Sequence, residues 1–166
     1  PYILADEKDL IALPDELSYK DGAQVACGFG TVYEAIEKIG ICGNDAVLVT
    51  GLGPVGLAAL LLAKAMGANK LIGVEMNDYR IDLAKKLGLA DLVVKPGPDA
   101  LDQILAATGG KGVERAIDAS ASAPGRQLAI RATREWGKIA FVGEGGTCTF
   151  NPSPDIIHGQ KPIYGS

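Results

Sequence analysis

The sequence is poor in aromatic residues and cysteines, and it has no basic segment. Aromatic side chains make up 5% of the 166 residues, and the formal net charge is −4 at pH 7. Because no run of Lys and Arg is present, nothing in the composition favours a nucleic-acid partner. The three cysteines, Cys27, Cys42 and Cys148, form no Cys-x-x-Cys pair, and an odd number argues against a disulfide framework. A reducing, cytoplasmic location is therefore expected.

Long uninterrupted apolar runs are also missing. The longest apolar stretch, residues 47–63, has three glycines and a proline in its middle, whereas a membrane-spanning helix needs about 20 consecutive apolar residues. The first ten residues, PYILADEKDL, resemble neither a signal peptide nor a basic amphipathic presequence. We therefore expect no membrane partner.

The chain is instead rich in small and aliphatic residues, with 48% hydrophobic residues and 22 glycines. Short buried strands are predicted over residues 46–49, 71–74, 92–94, 116–118 and 139–142. Helices are predicted from about Tyr19 and over residues 31–39, 55–66, 79–87, 98–107 and 124–135. Strands that alternate with helices of 10–15 residues are typical of an α/β protein with a parallel, doubly wound sheet and helices on both faces.

The two ends of the chain depart from this alternation. Two short apolar runs in residues 1–20 predict short strands and a turn. Residues 160–166 predict a further strand at one edge of the sheet, because Pro162 lacks the N–H that a central strand needs. The chain starts without Met and stops inside this strand, so we expect a fragment of a longer protein.

The most informative segment is a glycine loop that follows the first strand of the alternating pattern. Gly51, Gly53 and Gly56 fit G-x-G-x-x-G between a strand and a helix. In that context the first glycine permits a tight turn, the second lets a pyrophosphate approach the backbone, and the third lets the helix pack against the sheet. Pro54 suits the first helical turn, so phosphate contacts are expected on the N–H groups of Val55 and Gly56. The alternative is a glycine-rich turn with no ligand.

An acidic residue at the end of the next strand strengthens this interpretation. Glu75 lies 19 residues after Gly56, where an acid accepts hydrogen bonds from the adenosine ribose. The alternative is a solvated acid at a strand end. Arg80, on the following helix, either reaches the same ribose or a phosphate or belongs to an exposed helix face. Together the loop and the acid predict a Rossmann-type domain that binds NAD in preference to NADP.

Several segments in order resemble the zinc-containing medium-chain alcohol and polyol dehydrogenases, and the resemblance covers nearly the whole chain. The matching segments are Ala26-Cys27-Gly28-Phe29-Gly30-Thr31-Val32-Tyr33, Gly51-Leu52-Gly53-Pro54-Val55-Gly56, Gly73-Val74-Glu75, Val142-Gly143-Glu144-Gly145-Gly146 and Ser153-Pro154-Asp155-Ile156-Ile157.

The resemblance implies a role for each matching position. Cys27 is the single candidate zinc ligand of an incomplete site, so zinc is expected in the intact parent only. Thr31 packs by the nicotinamide ring, and the backbone of Val142, Gly143 and Glu144 meets its carboxamide. The pyrophosphate loop and the ribose-binding pair are the residues derived above: Gly51, Gly53, Pro54, Val55, Gly56, Glu75 and Arg80.

The resemblance also implies a domain organisation and an activity. Residues 1–20 are a remnant of the preceding catalytic domain, and residues 21–166 are a C-terminally truncated NAD-binding domain. The parent transfers hydride between an alcohol or polyol and the nicotinamide, while the fragment has no catalytic residues and is expected to be inactive. The strand over residues 160–166 is expected to join two copies into a weak dimer, and the alternative is a monomer with a frayed end.

Two other interpretations of the sequence are possible. A non-catalytic nucleotide-sensing Rossmann module would share the glycine loop, but it has no need of the segment around Cys27. A methyltransferase is disfavoured, because its adenosylmethionine has no pyrophosphate. Asp118, at a strand end, either contacts a ligand or satisfies a neighbouring loop. A surface or packing role is expected for His158, and a structural role for Cys42 and Cys148.

Overall fold

The sheet of this protein is built from six parallel strands. The computed structural model describes residues 2–166. The strands are paired in the order β3-β2-β1-β4-β5-β6, which is the order of a Rossmann fold, so the predicted doubly wound parallel sheet is confirmed. The strands are β1 (Ala46–Thr50), β2 (Lys70–Val74), β3 (Leu92–Val94), β4 (Val113–Asp118), β5 (Thr133–Phe141) and β6 (Ile163–Gly165).

Helices cover both faces of the sheet. They are α1 (Tyr19–Gln24), α2 (Gly30–Ile39), α3 (Pro54–Ala65), α4 (Asp78–Lys86), α5 (Ala100–Ala107) and α6 (Ala123–Ala132). Every residue of β1 is buried. Because side chains alternate along a strand, Val47 and Val49 join the apolar cluster under α2 and α3. Leu48 joins the opposite cluster, under α5 and α6.

The N-terminal segment differs from the prediction. No strand forms in residues 2–20, where the regular structure before α1 is one 3₁₀ turn over Glu7–Asp9. The apolar side chains of Tyr2, Leu4 and Ile11 are almost fully exposed. A strand needs a neighbour to accept its hydrogen bonds, and none of the described strands pairs with this segment. The predicted strand remnants are therefore wrong for these residues, and Pro1 lies outside the described part.

Two helix boundaries also differ from the sequence pattern. A π-helical turn, Val25–Phe29, joins α1 to α2, so the two helices predicted there form one nearly continuous helical segment. The helix predicted to reach Glu135 ends at Ala132, because Thr133 turns to an extended conformation and pairs with Val113 of β4.

Within residues 2–166, no helix has the length and the apolar character that a bilayer crossing requires.

Candidate cofactor-binding site

The predicted site residues gather at the carboxyl ends of β1 and β4, the two central strands. The order of strands reverses between these two, and ligands of open α/β sheets bind in the crevice at such a point. The loops that follow β1, β2, β4 and β5 all reach this end of the sheet, since all six strands are parallel.

The glycine loop after β1 is held tightly between two neighbouring strands. The Gly51 N–H donates to the Val74 carbonyl at 2.8 Å, and its φ of +84° is a left-handed conformation that favours glycine. A Cβ on Gly56 would overlap the Gly51 carbonyl oxygen. Only a hydrogen at Gly56 therefore lets α3 start this close to the strand.

The first turn of α3 leaves backbone donors available to a ligand. Gly53 is the N-cap residue, Pro54 occupies the first helical position, and no side chain caps this end. The Leu57 N–H donates to the Gly53 carbonyl at 2.9 Å, whereas Val55 and Gly56 come too early in the helix to find an intrahelical acceptor. These N–H groups, with the positive end of the helix dipole, suit an anionic group.

Glu75 lies beside the glycine loop as a nearly buried carboxylate, with 5% of its surface exposed. Its Oε2 accepts the Leu52 N–H at 2.8 Å, and its Oε1 accepts the N–H groups of Met76 at 2.8 Å and Asn77 at 2.9 Å. Burial by itself raises the pKa of Glu75. The three N–H donors and the Arg80 charge lower it more, so its pKa lies below the ordinary value. The carboxylate is therefore ionised at neutral pH.

Arg80 lies over the same loop. Its Nη1 is 3.6 Å from Glu75 Oε2, and its side chain is about half exposed. The same Nη1 lies 3.8 Å from the position that a Cβ on Gly53 would occupy. The guanidinium is thus placed between the acid and the start of α3. Sequence reasoning found both residues but missed that Glu75 clamps the loop through the Leu52 N–H, because no motif marks a bond to the backbone.

A cleft of about 590 Å³ opens on the other side of the loop and contains the remaining predicted residues. It brings together Cys27, Thr31, Val55 and the segment 142–144, and Gly165 and Ser166 close one wall. The other predicted residues do not line the cleft and lie in or beside the adjacent glycine loop; they are Gly51, Gly53, Pro54, Gly56, Glu75 and Arg80.

Asp118, at the end of β4, holds the loops that line this cleft. Its carboxylate is fully buried and accepts hydrogen bonds from the hydroxyls of Thr50 at 2.7 Å and Ser120 at 2.6 Å. Arg126 Nε is 3.3 Å from Asp118 Oδ2, and Arg126 Nη2 donates to the Gly143 carbonyl at 2.6 Å. Of the two interpretations open for Asp118, the structure supports the one in which it satisfies a neighbouring loop. Sequence reasoning missed Arg126, because an arginine eight residues after a strand end forms no recognisable motif.

The described residues do not form a metal site. Cys27 is exposed and lies in the π-helical turn between α1 and α2. Within residues 2–166, no group of three or more His, Cys, Asp or Glu residues is arranged to hold a metal ion, whereas a catalytic zinc needs three protein ligands.

The remaining His and Cys residues differ in burial. His158 is exposed, which supports the predicted surface role. Cys148 is partly buried, as a structural role requires, while Cys42 is exposed, so packing does not explain it.

Comparison with known proteins gives consistent matches. The sequence profile of the zinc-binding dehydrogenase family matches residues 54–166. An uncharacterized zinc-type alcohol dehydrogenase-like protein of Escherichia coli (strain K12), YphC, is 47% identical over 99% of this chain and 47% of its own length. Sorbitol dehydrogenase of Bacillus subtilis (strain 168) is 31% identical over 86% of this chain and 40% of its own length.

The solved structures agree with the sequence matches. Benzyl alcohol dehydrogenase from Acinetobacter calcoaceticus superimposes with a TM-score of 0.84 and 30% identity over 94% of this chain and 44% of that protein. The chain thus spans less than half of the length of each of these three relatives.

Proposed function

Since this chain belongs to the zinc-binding dehydrogenase family, we propose that it is the NAD-binding domain of an oxidoreductase that transfers hydride between an alcohol or polyol and nicotinamide. The observation that supports the proposal most is the glycine loop, where α3 starts without a side-chain cap and the ionised carboxylate of Glu75 accepts the Leu52 N–H. The names of the relatives, sorbitol and benzyl alcohol dehydrogenase, support an alcohol or polyol as the substrate class of the whole protein.

Each part of the dinucleotide has a group to receive it. The pyrophosphate would lie on the Val55 and Gly56 N–H groups, where the helix dipole favours negative charge. Glu75 Oε2 accepts a single N–H, and a carboxylate oxygen has room for a second donor, which a ribose hydroxyl would supply. Arg80 would contact the same ribose or a phosphate.

The nicotinamide end would occupy the cleft, between Thr31 and the backbone of residues 142–144. When bound, NAD supplies the carbon that accepts or releases hydride, while the protein orients it and shields it from water. The described residues do not fit zinc, so no step of this proposal uses it. Cys27 stays a single candidate ligand, and a site built on it would need ligands that residues 2–166 do not provide.

Cofactor choice tests this proposal. NADP carries an additional phosphate on the ribose hydroxyl that Glu75 would bind, so two anions would face each other and the hydrogen bond to the carboxylate would be lost. A hydrogen bond to a charged group contributes about 1.5–3 kcal/mol, so we expect NAD to bind about ten- to a hundredfold more tightly than NADP. Isothermal titration calorimetry with both dinucleotides measures this ratio.

The two possible failures of this experiment are distinct. NADP affinity equal to or greater than that for NAD would contradict the ribose-binding role of Glu75. If neither dinucleotide bound at millimolar concentration, the proposed function itself would be wrong. In Glu75→Gln the preference for NAD should fall. Glu135→Gln, which removes the same charge from an exposed position, is the matched control and should keep the wild-type ratio.

A further inference from the structure

We propose that Arg126 is a positioning residue for the nicotinamide end of the cofactor, because it fixes the backbone of the segment Val142–Glu144 that forms one wall of the cleft. This inference rests on the proposed binding of NAD. Arg126 does not line the cleft itself, so its effect is indirect and passes through the Gly143 carbonyl.

Hydrogen bonds hold this segment through its N–H groups and through a carbonyl. The N–H groups of Val142 and Gly143 both donate to the Asp118 carbonyl, at 2.8 Å and 2.9 Å. The Gly143 carbonyl accepts from Arg126 Nη2 at 2.6 Å. A Cβ on Gly143 would lie 2.5 Å from the Ala121 nitrogen, so the segment is also packed directly against the loop after β4.

These bonds determine which backbone groups are left for a ligand. The Val142 carbonyl and the Glu144 N–H form no hydrogen bond with any residue of the described chain. They provide one acceptor and one donor beside the cleft. A carboxamide has one N–H₂ group and one carbonyl oxygen, so the two free backbone groups have the complementary polarity. The Gly143 carbonyl and the Glu144 N–H belong to the same peptide plane. If this carbonyl were released, that plane could rotate and the donor would be lost, whereas the Val142 carbonyl would stay held through the Gly143 N–H bond to Asp118.

Arg126 is itself held in a single orientation. Only 9% of its surface is exposed. Its Nε lies 3.3 Å from Asp118 Oδ2, and its guanidinium carbon is 5.3 Å from the centre of the Phe141 ring. The planar guanidinium reaches the Asp118 carboxylate and the Gly143 carbonyl at once, which a lysine ammonium at the end of a flexible stem does not do equally well. Replacement by Lys therefore keeps the charge next to Asp118 and loses the bond to Gly143.

The test compares two ligands that differ only in the nicotinamide. NADH and ADP-ribose share the adenosine and the pyrophosphate, but ADP-ribose has no carboxamide. We expect wild-type protein to bind NADH more tightly than ADP-ribose. In Arg126→Lys the NADH affinity should fall about five- to thirtyfold, while ADP-ribose affinity should stay within about twofold. Calorimetric titration of both ligands gives the two ratios. If Arg126 had only a structural role, the substitution would lower the affinities for NADH and ADP-ribose equally or would change neither.

Arg115 offers a matched control at the opposite end of the sheet. Its Nε lies 3.5 Å from the buried Asp45 carboxylate and donates to the Gly40 carbonyl at 3.0 Å, the same combination of ion pair and loop carbonyl. Arg115→Lys should leave both ligand affinities unchanged. A second variant, Gly143→Ala, keeps Arg126 but displaces the segment, and it should reproduce the selective loss of NADH affinity.

The failures of this inference differ from the failure of the proposed function. If neither NADH nor ADP-ribose binds, the proposed function is wrong. If wild-type protein binds both ligands equally, or if Arg126→Lys and Gly143→Ala keep the wild-type preference for NADH, then NAD binding stands and the positioning role of Arg126 is wrong.

Discussion

At the residue scale, Glu75 links the proposed ligand site to the stability of the fold. Its carboxylate accepts three backbone N–H groups, one of them from Leu52 in the glycine loop. The group that would bind ribose therefore also orders the loop that would bind the pyrophosphate. Loss of its charge should consequently weaken both the fold and cofactor binding.

We predict that Glu75→Gln destabilises the protein by about 1–3 kcal/mol at neutral pH, since the amide NH₂ would face backbone donors and leave one of them unsatisfied. The pKa of Glu75 is lower in the folded state, so the folded protein binds fewer protons. The contribution of Glu75 to the free energy of unfolding is complete above the unfolded glutamate pKa of about 4.3, and it is lost as pH falls through the lower folded pKa. The difference in free energy of unfolding between wild type and variant should therefore narrow as pH falls below the unfolded pKa.

Urea unfolding at a series of pH values measures this gap. Exposed carboxylates such as Asp21 and Glu34 also have lowered pKa values, so the informative quantity is the difference between the two proteins and not the acid sensitivity of either one. A gap that stays constant from neutral pH to about pH 3 would contradict the assignment.

Gly56 allows a second prediction at the residue scale. A Cβ at this position would overlap the Gly51 carbonyl oxygen, so Gly56→Ala must move the start of α3 away from the sheet. We expect a loss of about 1–3 kcal/mol or more, as for other overpacked sites, together with an NAD affinity at least tenfold lower. Chemical unfolding and calorimetry measure the two effects.

Gly97 provides the control for this substitution. It is exposed, and a Cβ there would meet nothing within 4 Å, so Gly97→Ala should stay within about 0.5 kcal/mol of wild type. Wild-type stability and NAD affinity in Gly56→Ala would disprove the packing role of Gly56.

At the scale of elements, the sequence predicts best where the periodicity and the packing agree. The first five strands of the chain, β1 to β5, and the helices between them follow from buried apolar runs that alternate with helical spacing. The glycine loop with Glu75 indicates the ligand edge of the sheet. Each of these signals is local in the chain, and each is reinforced by the burial that the fold imposes on it.

The features that the sequence predicted wrongly or did not reveal depend on partners distant in the chain. The apolar runs before α1 look like strands, yet no described strand pairs with residues 2–20. Asp118 ends β4 and Arg126 lies on α6, and the roles of both depend on contact with the loop after β5. A buried ion pair of this kind has no fixed spacing, so only the folded structure shows that Arg126 reaches Gly143.

At the scale of the whole molecule, the predicted edge strand has the geometry that an interface between copies would use. β6 pairs with β5 and ends the sheet on that side. The Pro162 carbonyl accepts the Ile139 N–H at 3.1 Å, and the Ser166 N–H donates to the Phe141 carbonyl at 3.2 Å. Because the direction of backbone groups alternates along a strand, Ile163 directs its N–H and carbonyl away from β5. The Gly165 carbonyl already accepts a hydrogen bond from Lys38 Nζ at 2.7 Å. Ile163 is therefore the position of β6 that is open to pairing with another strand.

We therefore predict a weak two-fold dimer through β6, since unpaired strand edges are templates for pairing and a two-fold interface needs only one self-complementary patch. Ile163→Pro removes the outward N–H and should yield a monomer, because proline blocks pairing at an edge without disturbing the bonds of its neighbours to β5. Ile163→Ala loses the same apolar side chain but keeps the N–H, so it should dimerise almost as wild type does. Sedimentation velocity over a range of concentrations distinguishes the three proteins. A wild-type monomer at high concentration, or equal dimerisation by Ile163→Pro, would show that the sheet does not continue across this edge.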